Sequence, residues 1–117
     1  MSTDIGALAM AHMHQANRVP ENAGSILLPL ARGAIATQLG LPAPQAQDAP
    51  WLHDTGAAFV TLTMDGKLRG CIGTLEAHRA LGADLRANAL AAAFRDPRFK
   101  PLTADEFKNT KVEVSVL

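Results

Sequence analysis

The sequence offers little material for a disulfide framework, a membrane span or a secretion signal. Cys71 is the only cysteine among the 117 residues, so no disulfide can form within the chain, and this fits a reducing compartment. No apolar run approaches the roughly twenty residues that cross a bilayer. Residues 5–11 are too short an apolar stretch for a signal peptide and lack a preceding basic region. We therefore expect a cytoplasmic protein that does not enter a membrane.

Net charge and aromatic content are low as well. The 11 basic and 11 acidic residues give a net charge of zero, so bulk electrostatics favour neither an anionic membrane nor a nucleic acid as partner. Aromatic residues make up 4% of the chain, too few to interleave with basic residues on a single-stranded RNA surface. We expect one domain with a real core, because a chain of this length buries about two thirds of its unfolded surface.

Two stretches have the apolar spacing of helices. Residues 25–39 carry apolar side chains three and four apart, with Ser25 as the candidate N-cap and Pro29 as a residue that disfavours the early turns. Residues 81–95 form an alanine-rich helix that Pro97 brings to an end. Its apolar stripe is expected to pack on a sheet, and its solvent side is assigned to four polar residues: Asp84, Arg86, Asn88 and Arg95.

The amino-terminal segment lacks a clear period. We predict that residues 1–24 are either poorly ordered or a short helix, and that residues 25–117 form the domain. His12 and His14 have the spacing of a possible metal-ligand pair, but no cysteine or carboxylate cluster lies beside them. We therefore expect a solvated surface there, and the sequence predicts no metal site.

A β-hairpin is predicted at Asp65-Gly66, because this dipeptide between two apolar runs is a strong turn signal. The first strand covers residues 57–64, and the return strand carries Leu68-Arg69-Gly70-Cys71-Ile72-Gly73-Thr74. Side chains alternate between faces along a strand. This alternation places Leu68, Ile72 and Thr74 on one side, and Lys67, Arg69, Cys71 and Leu75 on the other.

Two glycines beside the only cysteine call for an explanation, since each destabilises a strand by roughly 0.5–1 kcal/mol relative to alanine. Gly70 and Gly73 permit a bulge, or the close approach of another backbone or a ligand. One hypothesis is a reactive Cys71 whose thiolate is favoured by Arg69. The alternative is a buried cysteine that acts as a small hydrophobic side chain. The residues alone leave both hypotheses open.

The carboxyl-terminal third contains three further signals. Residues 96–101, with the sequence Asp-Pro-Arg-Phe-Lys-Pro, are too rigid and charged for a simple linker. Thr103 and Glu106 have capping-box spacing, which predicts a short helix over residues 104–108. Alternating valines predict a strand with one buried face over residues 111–117.

These motifs together resemble a known family. Arg69-Gly70-Cys71-Ile72-Gly73, followed by Asp96-Pro97-Arg98-Phe99, is similar to the signature of the AMME chromosomal region gene 1 domain, whose bacterial and archaeal members are called AmmeMemoRadiSam system protein A. The similarity runs from about Ser25 to Leu117. It implies a single α+β domain with a mostly antiparallel sheet and helices packed against it. Domains of the family continue beyond the strand that ends at Leu117, so we expect the chain to be truncated at its carboxyl terminus.

The resemblance also implies a function, although the family has no settled activity. It suggests action with a Memo-like protein and a radical S-adenosylmethionine protein, and it identifies no cofactor. The Arg-Gly-Cys-Ile-Gly segment is then the catalytic or ligand site, with Cys71 as catalytic residue and six ligand-binding residues: Arg69, Gly70, Gly73, Thr74, Asp96 and Arg98. The alternatives are a module that binds a small anion or a nucleotide, and a protein-interaction subunit that docks through the strand at residues 112–117.

Overall fold

A three-stranded antiparallel sheet with two helices packed against it forms the centre of the fold. The structure is a computed structural model, and it describes residues 19–117. His12, His14 and most of the predicted segment 1–24 lie outside the described residues. The elements are α1 (Gly24–Gln38), a 3-10 turn (Pro50–His53), β1 (Thr55–Gly56), β2 (Ala58–Met64), β3 (Lys67–Gly73), β4 (Arg79–Ala80), α2 (Leu81–Phe94), α3 (Ala104–Phe107) and β5 (Thr110–Val116). The predicted α+β fold with a mostly antiparallel sheet is confirmed.

The core lies between the sheet and the helices α1 and α2. The strand order is β3-β2-β5, so β2 is central, while β1 and β4 form a separate two-stranded ribbon. Val60 and Leu62 on β2, Ile35 on α1 and Leu85 on α2 are fully buried. Burying each such side chain stabilises the fold by about 1.5–3 kcal/mol. The helices therefore cover one face of the sheet, and its other face and its edges are the places where a ligand could bind.

Helix α1 begins one residue earlier than predicted, and Ser25 is not its N-cap. Ala23 occupies the cap position, and the Ser25 hydroxyl instead donates to the carbonyl oxygen of Asn22 at 2.9 Å. The helix continues through Pro29. The N–H that proline lacks would have bonded the carbonyl of Ser25 in the exposed first turn, where water can replace it.

The assignment of Asp84 and Asn88 to the solvent side of α2 is wrong. The Asp84 side chain is fully buried and Asn88 is buried, whereas Arg86 and Arg95 are exposed as predicted. Burial of these polar groups is tolerated because each is hydrogen-bonded. The Asp84 carboxylate accepts from the backbone N–H of Ala58, and the Asn88 amide donates to the carbonyl of the same residue, at 2.9 and 2.8 Å. This pair of bonds fastens the first turns of α2 to the start of β2.

The hairpin between β2 and β3 is confirmed, with one irregularity. Asp65 and Gly66 have φ values of 52° and 77°, which is the left-handed pair that a tight hairpin turn requires. Leu62 pairs with Gly70 but Thr63 pairs with Leu68, so Arg69 is an extra residue on β3 and forms a bulge. The bulge reverses the predicted face of Leu68, which shares a face with Thr63 rather than with Ile72.

The carboxyl-terminal elements follow the predicted order. Thr103 and Glu106 form the predicted capping box at the start of α3. Strand β5 pairs with β2 along its whole length, yet it does not have a single buried face, because Val114 and its neighbour Ser115 are both buried. Within residues 19–117, no helix is long and apolar enough to cross a membrane.

Candidate functional site

Cys71 lies on the sheet face that points away from α1 and α2, here called the outer face. Cross-strand partners share a face, so the pairing of Cys71 with Thr61 places the thiol opposite the side of buried Val60 and Leu62. Cys71 is partly buried, and its sulfur lies 3.3 Å from the Thr61 hydroxyl oxygen. Cys71 is therefore neither a core residue nor fully solvated, and its side chain has a polar neighbour.

The backbone of Cys71 is held on both sides by one ion pair. Its N–H donates to Asp96 Oδ2 at 3.0 Å, and Arg98 Nη2 donates to its carbonyl oxygen at 3.4 Å. Arg98 also grips the Asp96 carboxylate with two further bonds, of 3.0 Å from Nε and 2.7 Å from Nη2. Since β3 is an edge strand, the Asp-Pro-Arg segment after α2 supplies the hydrogen bonds that a further strand would otherwise make.

Asp96 and Arg98 each shift the pKa of the other. The side chain of Asp96 is 2% exposed, whereas that of Arg98 is 55% exposed. The hydrogen bonds from Arg98, and next the N–H of Cys71, hold the pKa of Asp96 far below its usual range. The Asp96 carboxylate in turn raises the pKa of Arg98. Asp96 thus remains an anion and serves to orient its neighbours rather than to give up a proton.

Arg69 forms a second ion pair, at the bulge. Its guanidinium donates two bonds to the Glu106 carboxylate, of 2.9 and 3.3 Å, and one to the carbonyl of Lys100 at 2.8 Å. Only 11% of the Arg69 side chain is exposed, and Nη1 is buried without a hydrogen-bond partner among the described residues. Arg69 and, next, the N–H of Thr103 lower the pKa of Glu106. Arg69 is engaged with α3 and not with the thiol.

The aromatic ring of Phe99 lies near the arginine of each ion pair. The guanidinium carbon of Arg69 lies 5.6 Å from the ring centroid and that of Arg98 lies 5.5 Å from it. Both distances are within the range of cation–π attraction. The Asp-Pro-Arg-Phe motif therefore connects the bulge and the cysteine backbone to one loop.

Close packing explains why Gly70 and Gly73 lack a side chain. A Cβ at Gly70 would collide with the carbonyl oxygen of Ala92 on α2, and a Cβ at Gly73 would collide with the ring of Phe59. The first glycine thus permits the close approach of another backbone, and the second accommodates an aromatic side chain from β2. Their predicted role in admitting a ligand stays a prediction.

Thr74 belongs to a polar network that the sequence did not reveal. Its hydroxyl donates to Asp84 at 2.8 Å and accepts from Asn88 at 2.9 Å, and Arg79 Nε donates to Asp84 at 2.7 Å. A sequence signal existed, because Asp84 and Asn88 are four residues apart and interrupt the stripe of Leu81 and Leu85. Within residues 19–117, no group of three histidine, cysteine or acidic side chains could hold a metal ion.

Comparison with known proteins gives the family of the chain. The AMMECR1 family model matches residues 28–117. A protein from Saccharolobus solfataricus is 40% identical over 109 residues, covering 88% of this chain and 48% of its own length. A protein from Sulfurisphaera tokodaii is 44% identical over 111 residues, with 86% of this chain and 48% of its own length covered.

A solved structure has the same fold. The crystal structure of the uncharacterized protein PH0010 from Pyrococcus horikoshii superposes with a TM-score of 0.75 at 34% sequence identity, covering 85% of this chain and 53% of that one. The chain thus spans about half the length of the relatives it matches. The family model, the sequence identities and the fold agree, and the chain belongs to the AMMECR1 family.

Proposed function

We propose that the outer face of the sheet binds a small electrophilic molecule and that Cys71 is the group that reacts with it. The observation that carries this proposal is the fixation of the Cys71 backbone by Asp96 and Arg98, at a residue that is only partly buried. A nucleophile carried on a fixed backbone gains rate from orientation. A cysteine used only for packing does not need an ion pair that binds both its N–H and its carbonyl oxygen.

The proposal includes the partners that the family resemblance implies, a Memo-like protein and a radical S-adenosylmethionine protein. Membership of the AMMECR1 family supports this part of the proposal. Among the described residues, β5 pairs on one side only, with β2. Its other edge offers backbone groups to which a strand of a partner could add. In this arrangement the domain would take its electrophilic ligand from, or pass it to, the partner proteins.

The test is the rate at which iodoacetamide alkylates Cys71 between about pH 5 and 9. The reference is the same chain unfolded in urea, whose thiol should react with a midpoint near the ordinary pKa of about 8.5. We expect the folded chain to react faster than the unfolded chain at pH 7. Because the chain has a single cysteine, Cys71→Ser gives the background without ambiguity. Reaction of the folded chain only as fast as it unfolds would refute the proposal.

Arg69 supports a second candidate function, the binding of a small anion. Its Nη1 is buried and unpartnered among the described residues, and the Arg98 guanidinium contacts the same Phe99 ring. Guanidinium groups bind phosphate and carboxylate through paired N–H donors. Titration with inorganic phosphate, followed by the backbone amide signals of residues 69–73 in NMR spectra, tests this candidate. Sodium chloride at equal ionic strength is the control, and equal shifts from both salts would exclude a specific anion site.

A further inference from the structure

Cys71 forms a row with one residue from each neighbouring strand. Thr61 on β2 pairs with Cys71 on β3, and the same Thr61 pairs with Glu113 on β5. All three side chains therefore stand side by side on the outer face, where directly opposed Cβ atoms are about 4.5–5.5 Å apart. A thiol, a hydroxyl and a carboxylate thus follow one another across the sheet. The two outer members are 42 residues apart in the sequence (113 − 71), so only the sheet register brings them together.

The first link of the row is already formed. The Cys71 sulfur and the Thr61 hydroxyl oxygen are 3.3 Å apart, and either group can donate the proton between them. Glu113 is half-buried, and its carboxylate has no hydrogen bond or ion pair within residues 19–117. Its side chain has two methylene groups, which is enough to span the spacing between adjacent strands. Glu113 is thus a carboxylate beside the thiol row without another engagement in the described part of the chain.

The other charged groups around Cys71 are poorly suited to accept a proton. Asp96 contacts the backbone of Cys71 but is bound by Arg98, which lowers its pKa. Glu106, on α3, is bound by Arg69. Lys111, which pairs with Thr63 in the next row of the outer face, and Arg69, at the bulge of β3, are basic side chains and offer no carboxylate. Glu113 is the one carboxylate of the outer rows of β2, β3 and β5.

We infer that Thr61 and Glu113 remove the proton of the Cys71 thiol when its sulfur attacks an electrophilic carbon. This inference rests on the proposed function and names its proton acceptor. In the step, the Sγ–H bond breaks and an Sγ–C bond forms to one end of an activated double bond of the ligand, whose π electrons move to the electron-withdrawing end of that double bond. The thiol proton passes to Thr61 Oγ1 as the Thr61 proton passes to Glu113, so a neutral acid and an anionic adduct result. The ligand class is therefore an activated carbonyl or alkene without a strong negative charge near the reacting carbon.

The experiment is the pH dependence of Cys71 alkylation by iodoacetamide in the full chain and four variants. We expect Glu113→Gln and Thr61→Val to slow the reaction at pH 6 by about tenfold or more, because positioned proton transfer contributes roughly 10² to 10⁴ in rate. Thr61→Ser keeps the hydroxyl and should restore most of the rate. Glu76→Gln, at an exposed position outside the sheet, is the matched control and should not change it. Circular dichroism confirms that each variant is folded.

The sign of the Glu113→Gln effect separates the possible roles. If Glu113 were only a nearby negative charge, its removal would favour the thiolate, and the variant would react faster at pH 6 with a lower midpoint. That result, or an unchanged profile, would overturn the inference while leaving a reactive Cys71 in place. Failure of the unaltered chain to react in its folded state would instead refute the proposed function itself.

Discussion

Replacement of Asp84 by alanine tests the energetic role of the buried network behind the sheet. The Asp84 side chain is fully buried in α2 and accepts four hydrogen bonds. The donors are the backbone N–H of Ala58 at 2.9 Å, the Thr74 hydroxyl at 2.8 Å, Arg79 Nε at 2.7 Å and the Asn88 amide at 3.2 Å. The Asp84→Ala substitution therefore removes the one acceptor shared by α2, β2, β4 and the end of β3.

The expected loss of stability follows from what each donor can do afterwards. Asn88 keeps its bonds to the Ala58 carbonyl and the Thr74 hydroxyl, and the Arg79 side chain, 39% exposed, can turn to water. The Ala58 N–H is fully buried and has no substitute acceptor, which costs about 1–3 kcal/mol. Loss of the charge-assisted bond from Arg79 adds to this, reduced by solvent screening. We expect Asp84→Ala to lower the free energy of unfolding by about 2–4 kcal/mol.

Urea unfolding followed by circular dichroism at a helix band measures this difference. For a domain of this size, the expected loss corresponds to a fall in Tm of roughly 10–20 °C. Asp84→Asn keeps the volume but turns an N–H toward groups that donate, so it should lose most of the same stability. Asp105→Ala, whose side chain is 96% exposed, is the control. A loss below about 1 kcal/mol for Asp84→Ala would contradict the reasoning, since it would mean that the network can rearrange without cost.

Two further predictions follow from the site. Gly70→Ala should lower the free energy of unfolding by about 1–3 kcal/mol, because the added Cβ would collide with the backbone of α2. Gly33→Ala is the control and should stabilise α1, since the nearest atom to its added Cβ is 3.9 Å away. Equal effects of the two substitutions in urea unfolding would contradict this prediction. Folding lowers the pKa values of Asp96 and Glu106, so their contribution to stability is present above about pH 4–5 and is lost as pH falls. The urea concentration at the unfolding midpoint should therefore decrease as the pH is lowered below 4, and it should decrease less steeply in the Asp96→Asn, Glu106→Gln double variant. If the two proteins lost stability in parallel, these two carboxylates would not be the cause.

Local signals predicted the local structure. The Asp65-Gly66 turn and the Thr103 and Glu106 capping box depend on residues within a few positions of each other, and both form as expected. The extent of α2 was also correct to within one residue, because its alanine-rich run and the following Pro97 act within the same segment. The family motifs predict a site around Cys71, and this stays a prediction.

Features that depend on pairing between distant segments could not be predicted from the sequence. The bulge at Arg69 depends on how β3 aligns with β2, and alternation along one strand cannot reveal an extra residue. The sequence favours solvent for Asp84 because a charged residue is rarely buried without partners, and its partners come from three other segments. Likewise, Glu113 joins Thr61 and Cys71 only through the register of three strands. Such registers are set by the whole fold and leave no short-range sequence signal.

The ion pair of Asp96 and Arg98 also affects how the protein behaves among other molecules. An edge strand with free N–H and C=O groups is a template for intermolecular strand pairing and aggregation. On β3, the N–H of Cys71 is taken by Asp96 and its carbonyl oxygen by Arg98, so a foreign strand cannot pair across this point without breaking both bonds. Resistance to aggregation along this edge therefore depends on the same two side chains that position the thiol, and their loss would expose the edge and disturb the cysteine together.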